Sequence, residues 1–241
     1  MFFDTDSAFI PYISDKYIDS VCSNLVRRFD PDVFTNPHPV NIALLMKKML
    51  HLNIRYEHLS CDGSVLGLAV FTETDKLPVY NKGHRRAVYT HASENDVFID
   101  MGLTECGKSN RMRFTLAHEA GHILWHKMYN QSRVLAASQT VVSCEREDIG
   151  VCPDRSMLGR LSKSDLIEYQ ANRSASALLM PREAVQALFA GRPAPRTEDD
   201  ICDRILLTAG TFRVSDLAAR FRLVELGLIP AEDETSTKKA V

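Results

Sequence analysis

"FTLAHEAGHILWH", residues 114–126, spaces three histidines four apart and sets Glu119 directly after the first of them. The surrounding "SNRMRFTLAHEAGHILWHKMY" (109–129) reads as one long helix. Met112, Leu116, Ile123 and Leu124 can face a core while His118, His122 and His126 line another stripe. Residues four apart on a helix differ by about 40° and rise about 6 Å, so two imidazoles can converge on one ion at a bond length of about 2 Å. Residues eight apart are separated by about 12 Å along the axis, so His118 and His126 cannot share an ion. Glu119 decides between the two remaining pairs. In "HEAGH" a carboxylate follows the first histidine, where it can serve as general base to a metal-activated water; the matching slot in "HILWH" is Ile123, which has no acid–base chemistry. The expected metal ligands are therefore His118 and His122, with Glu119 as catalytic base. His126 is expected to be a partly buried, hydrogen-bonded histidine near the helix end.

A catalytic zinc site takes three protein ligands and leaves one position open. Leu124 follows and there is no glycine turn after it, which excludes the H-E-x-x-H-x-x-G-x-x-H pattern. A carboxylate from another helix is the alternative, and "EYQANRSASALLMP" (168–181) offers Glu168 at the head of a segment of small and apolar residues. Asn172, four residues on, shares its face and could fix a ligand histidine by a hydrogen bond from outside the coordination sphere. Read from the residues alone, Glu168 fits two roles equally: third ligand, or a solvated glutamate favoured by the helix dipole.

Together, "RFTLAHEAGHILWH" and "EYQANRSASALLMP" resemble the ImmA/IrrE family of metallopeptidases, with its H-E-x-x-H helix followed by an E-x-x-A-N-x-x-A-x-x-L-L-M-P helix. The resemblance spans about residues 14–229. It is weaker in "PVNIALLMKKMLHLNIRYEHL" and in "FRVSDLAARFRLVELGLI", and Ser174 and Ser176 replace bulkier or apolar residues usual in the family. It implies Zn2+ held by His118, His122 and Glu168, with Glu119 as base. It further implies a cytoplasmic endopeptidase whose protein substrate is a helix-turn-helix transcriptional repressor. The implied fold is α+β: a helical metallopeptidase domain with a small, mostly antiparallel sheet packed against the H-E-x-x-H helix.

The rest of the chain fits that expectation. Helices are predicted over about Ser14–Phe29, from near Asn41, over 164–180, from Pro181, over 200–209 and over 214–227. Strands are predicted at "NIRYEHL", "SVLGLAVFTET", "RAVYTHA" and "DVFIDM", the last a candidate edge strand for aligning a substrate. Residues 1–230 read as one domain and 231–241 as a disordered tail. Residues 131–163 read as an irregular excursion. Within it "CEREDIGVC" sets Cys144 and Cys152 at a spacing that fits no common zinc motif, and a loop over the cleft with reduced thiols is the simpler reading. A net charge of −2 gives no electrostatic case for nucleic acid, no apolar run is long enough to span a bilayer, and the first residues lack the features of an export signal. Six scattered cysteines without a C-x-x-C pair suit a reducing cytoplasm.

Two other readings stand beside the peptidase. "LLTAGTFRVSDLAARFRLVELG" has the outline of a helix-turn-helix with a turn at Gly210, and Arg213, Arg220 and Arg222 could reach phosphate. Leu217, Ala218, Phe221 and Leu226 at helical spacing are more simply core packing. A non-catalytic sensor that binds a metal and switches a partner would use the same site residues. For the peptidase, the donor that steadies the oxyanion is open, with Tyr89, His91 and Tyr169 as candidates.

Overall fold

The computed structural model describes residues 13–134, 141–145 and 162–231. The predicted tail beyond Ala231 and the stretch carrying Cys152 lie outside these residues, as does most of the predicted loop over the cleft.

Among the described residues the architecture is α+β, with seven α-helices, a four-stranded sheet and a separate two-stranded sheet. The helices are α1 (Asp15–Phe29), α2 (Ile42–Met49), α3 (Ser109–Val134), α4 (Lys163–Leu179), α5 (Arg182–Leu188), α6 (Glu198–Phe212) and α7 (Asp216–Glu225). The strands are β1 (Asn53–Glu57), β2 (Val65–Val70), β3 (Thr74–Asn81), β4 (Arg86–Ala92), β5 (Asp96–Asp100) and β6 (Val141–Glu145). Most helix starts follow local chemistry. The Ser14 hydroxyl accepts from the Tyr17 amide, the Asn41 side chain from Leu44, and Ser162 and Thr197 form reciprocal capping boxes with Asp165 and Asp200.

The larger sheet runs β1-β5-β2-β6; β1 and β5 are parallel and the other two pairings antiparallel. It is thus mostly antiparallel, as expected, but β5 is not an edge. The strand formed by "DVFIDM", Asp96–Asp100, lies between β1 and β2 with its five residues buried, and its backbone is paired on both sides. The outer strands of this sheet are β1 and β6. Alternation along β5 splits the interior in two: Val97 and Ile99 join the main core, whereas Phe98 faces a smaller one beneath the β3–β4 hairpin with Leu77 and Val79.

The main core joins Ile18, Cys22 and Val26 of α1 to Leu45, Leu116, Leu178, Phe212 and Leu223 of five other helices. Burial at 0% exposure pushes the Cys22 thiol up to about 12, so it behaves as a small apolar side chain. Two close approaches fix α3. On one side Gly67 of β2 lies against it, since a Cβ there would meet the Thr115 methyl at 2.8 Å and Glu119 Oε1 at 2.5 Å. On the other, a Cβ on Gly121 would stand 3.0 Å from the backbone of Ala171 in α4. Every residue from Thr115 to His122 is consequently buried, between sheet and helix.

Three further expectations are corrected. Strands β3 and β6 form where none was predicted. The first contains Pro78 and polar residues, tolerated because β3 pairs only with β4; the second sits inside the supposed irregular excursion. Gly210 does not make a turn: α6 continues through it to Phe212 and is closed by Arg213 in a left-handed conformation, φ 51°. On α7 the buried stripe is Ala219, Arg222 and Leu223, while Leu217 and Phe221 are exposed, so the predicted apolar face is rotated.

Candidate metal centre

Helices α3 and α4 bring His118, His122 and Glu168 together, with one ligand atom from each lying within 4.8 Å of the others. The Nε2 atoms of His118 and His122 are 2.9 Å apart, Glu168 Oε2 lies 3.2 Å from the first, and Oε1 lies 3.5 Å from the second. Both histidines are fully buried and the Glu168 side chain is 21% exposed, so the cluster opens to solvent on its carboxylate side.

Ring orientation decides what the cluster can hold. His118 Nδ1 lies 2.9 Å from Asn172 Oδ1, an acceptor, so it carries the hydrogen and leaves the Nε2 lone pair facing inward. Asn172 thus occupies the place expected of it. His122 Nδ1 faces His126 Nδ1 at 3.1 Å, and His126 Nε2 in turn faces Gln170 Oε1 at 2.9 Å. Two inward lone pairs 2.9 Å apart beside a carboxylate repel one another unless a proton or a cation lies among them. Two imidazole nitrogens and a carboxylate are a donor set suited to a divalent transition ion, and the cluster could hold one.

Glu119 sits beside this group, wholly buried, and neither carboxylate oxygen has a hydrogen-bond partner. Burial pushes its carboxyl up to about 8, the His118 charge opposing and the Glu168 charge adding. Such an unpaired buried carboxylate is costly in a purely structural role. Burial also acts against a charged Glu168. The adjacent rings of His118 and His122 outweigh it and hold that carboxyl below the usual range. His122 is held down, chiefly by burial. Burial takes His126 down to about 3, with the His122 charge acting in the same direction, so it is neutral at physiological pH.

His126 is the residue the sequence reading placed least well. It is fully buried, lies well inside α3, and touches a proposed ligand directly. Its partner Gln170 was not singled out at all. The signal was available only jointly: His126 one turn beyond His122, and Gln170 two residues before Asn172. Of the suggested oxyanion donors, Tyr169 gives its hydroxyl to Asp15 at 2.8 Å, and His91 is engaged by Asp75 at 2.8 Å and Ser93 at 3.1 Å. Tyr89 stands 72% exposed on β4. Of the arginines suggested for phosphate contact, Arg222 is fully buried, bound to Asp19 and to the Met180 carbonyl.

No protein-family model matches the chain, and no curated protein matches it significantly. Among the described residues no helix is long and apolar enough to cross a membrane.

Proposed function

We propose that the chain is a zinc-dependent endopeptidase of the ImmA/IrrE kind. The observation that carries this reading is the convergence of His118, His122 and Glu168 beside an unpartnered, fully buried Glu119. Hydrolysis of an amide needs a base for the attacking water and an acid for the leaving nitrogen, and one carboxylate can do both in turn. A zinc ion held by the three ligands supplies Lewis acidity and makes a water molecule acidic near neutral pH. Glu119 takes the proton from the attacking water and returns it to the departing amine. Its apolar surroundings raise its basicity for the first step. Asn172 holds His118 in the ligating tautomer.

The resemblance implies a cytoplasmic setting and a helix-turn-helix repressor as substrate. An extended substrate segment would pair with an outer strand, β1 or β6, since β5 has no free edge. DNA binding through α6–α7 is the weaker reading, because Arg222 is spent inside the protein.

The test combines metal analysis with cleavage of candidate repressors, with and without chelator. Glu119→Gln should keep the metal and lower the cleavage rate by about 10²–10⁴-fold. Wild-type rates in that variant would remove the base assignment. Metal binding without cleavage of any repressor would favour the sensor.

A further inference from the structure

We propose that His126 and Gln170 form a positioning relay that sets the ring tautomer of His122, so that metal affinity depends on two residues that never touch the ion. The inference rests on reading the His118–His122–Glu168 cluster as a metal centre, and deepens it.

A neutral imidazole has one donor and one acceptor nitrogen, so a contact at one fixes the character of the other. His126 Nε2 lies 2.9 Å from Gln170 Oε1 and donates to it. His126 Nδ1 is then an acceptor, and it receives the Nδ1 hydrogen of His122 at 3.1 Å. That leaves His122 Nε2 with its lone pair directed at His118 Nε2 and Glu168, where a ligand must point. With the Gln170 amide turned over, every hydrogen in the chain reverses. The amide NH2 would donate to His126 Nε2, His126 would donate to His122, and His122 Nε2 would carry a hydrogen that expels it from a coordination sphere.

The same logic acts on the other ligand without an intermediary. Asn172 Oδ1 takes the Nδ1 hydrogen of His118 directly, at 2.9 Å. Two amide side chains two residues apart on α4 therefore orient two histidines four apart on α3. At His122 the Nδ1 contact is instead with His126, which Gln170 holds in turn. All three groups of the relay are fully buried, so no solvent competes for these hydrogen bonds. The ordinary alternative is that His126 is a core histidine that Gln170 merely satisfies. In that case its loss would destabilise the fold without a specific effect on the metal.

The experiment measures Co2+ affinity by competition with a chromophoric chelator, together with the cobalt visible spectrum and the melting of the chelated protein. It uses the full chain and the variants His126→Phe, Gln170→Met and Gln170→Glu. His126→Phe and Gln170→Met should bind Co2+ about 10–100-fold more weakly and with an altered spectrum. Gln170→Glu keeps an acceptor oxygen and should restore affinity to within a few-fold of wild type. Unchanged affinity in the first two variants overturns the relay. So does a loss that merely follows the melting temperature and is not restored by Gln170→Glu. A wild-type chain that binds no Co2+ overturns the metal reading itself, which the variants alone would not do.

Discussion

Among the described residues, two groups of buried charged and polar side chains are built on opposite principles. Around Asp19 of α1, Arg222 donates at 2.7 Å to one carboxylate oxygen and Arg182 at 3.0 Å to the other. Glu225 pairs with both Arg173 and Arg222, and Arg222 also donates to the Met180 carbonyl at 3.0 Å. Apart from Arg173 Nε, 3.6 Å from Asp15, the polar atoms of these five side chains that are shut off from solvent have hydrogen-bond partners. Around His118 the balance is reversed: lone pairs face lone pairs, and both oxygens of Glu119 are unpartnered. But for Arg173 Nε the first group is complete within the chain, and it ties α1, α4, α5 and α7 together. The second is left incomplete by the chain's own groups, and such a cluster could hold a metal ion.

Breaking the complete group should cost the most stability. Asp19→Ala strands Arg222 and Arg182, and loss of one partner of a buried pair costs about 3–5 kcal/mol. For a chain of this size that lowers the melting temperature by roughly 6–20 °C. Metal affinity per folded molecule should not change, and a parallel loss of metal would erase the distinction between the two groups. The acid limb sharpens the point. Burial raises the Asp19 pKa, but the Arg222 charge and the hydrogen bonds from Arg182 and Arg222 outweigh it and hold the carboxyl below its ordinary value of 3.8. A depressed pKa means that the contribution is full above the ordinary value and is lost as pH falls through the lower one. Asp19→Asn should therefore flatten the fall in stability below about pH 4, measured by acid titration of the unfolding free energy.

Gly121→Ala should act on both groups at once, and less severely. The added methyl would stand 3.0 Å from Ala171 Cα, Ala171 O and Ser174 Cβ, and the first two are backbone that cannot rotate away. Overpacking of this kind costs about 1–3 kcal/mol. It would also part α3 from α4, which carries Glu168, Gln170 and Asn172, so on the proposed reading metal affinity should fall along with the melting temperature. Reduced stability with undiminished zinc affinity would show that the α3–α4 spacing does not set the site.

These two groups also mark how far sequence reading reaches. His118, Glu119 and His122 are legible because helix geometry relates them within one turn and chemistry excludes Ile123 as a base. Glu168 and Asn172 are candidates on the residues alone, but Glu168 fits a solvated role equally and the resemblance chooses the ligand role, since nothing local says which face of α4 meets α3. The role of His126 was hidden because it depends on Gln170, 44 residues away. The Asp19 network was invisible for the same reason: Arg222 lies 203 residues from its partner. On α7 the same contact turns Arg222 inward and leaves Leu217 and Phe221 at the surface, which periodicity of apolar residues alone cannot anticipate. Strand β6 was missed because the short stretch "VVSCE" gains its identity from pairing with β2, not from its own pattern.

The smallest change in stability, with a selective effect on chemistry, is expected from Gly67→Ala. Its methyl would meet Glu119 Oε1 at 2.5 Å and Cδ at 3.0 Å, as well as the Thr115 methyl at 2.8 Å. These are side-chain atoms that can shift, unlike the backbone facing Gly121, so the fold can absorb the change. Glu119 cannot do so without moving its carboxylate, and a displacement of about 1 Å in a positioned catalytic group can cost on the order of 10²-fold in rate. The proposed ligands His118, His122 and Glu168 are not among the atoms this methyl meets, so metal affinity should remain at the wild-type level. On the proposed peptidase reading, cleavage of a repressor substrate should therefore drop while metal content and melting temperature stay nearly constant. That pattern separates base from ligands within the incomplete group. Wild-type cleavage by Gly67→Ala would mean that the buried position of Glu119 against β2 is not the one from which it acts.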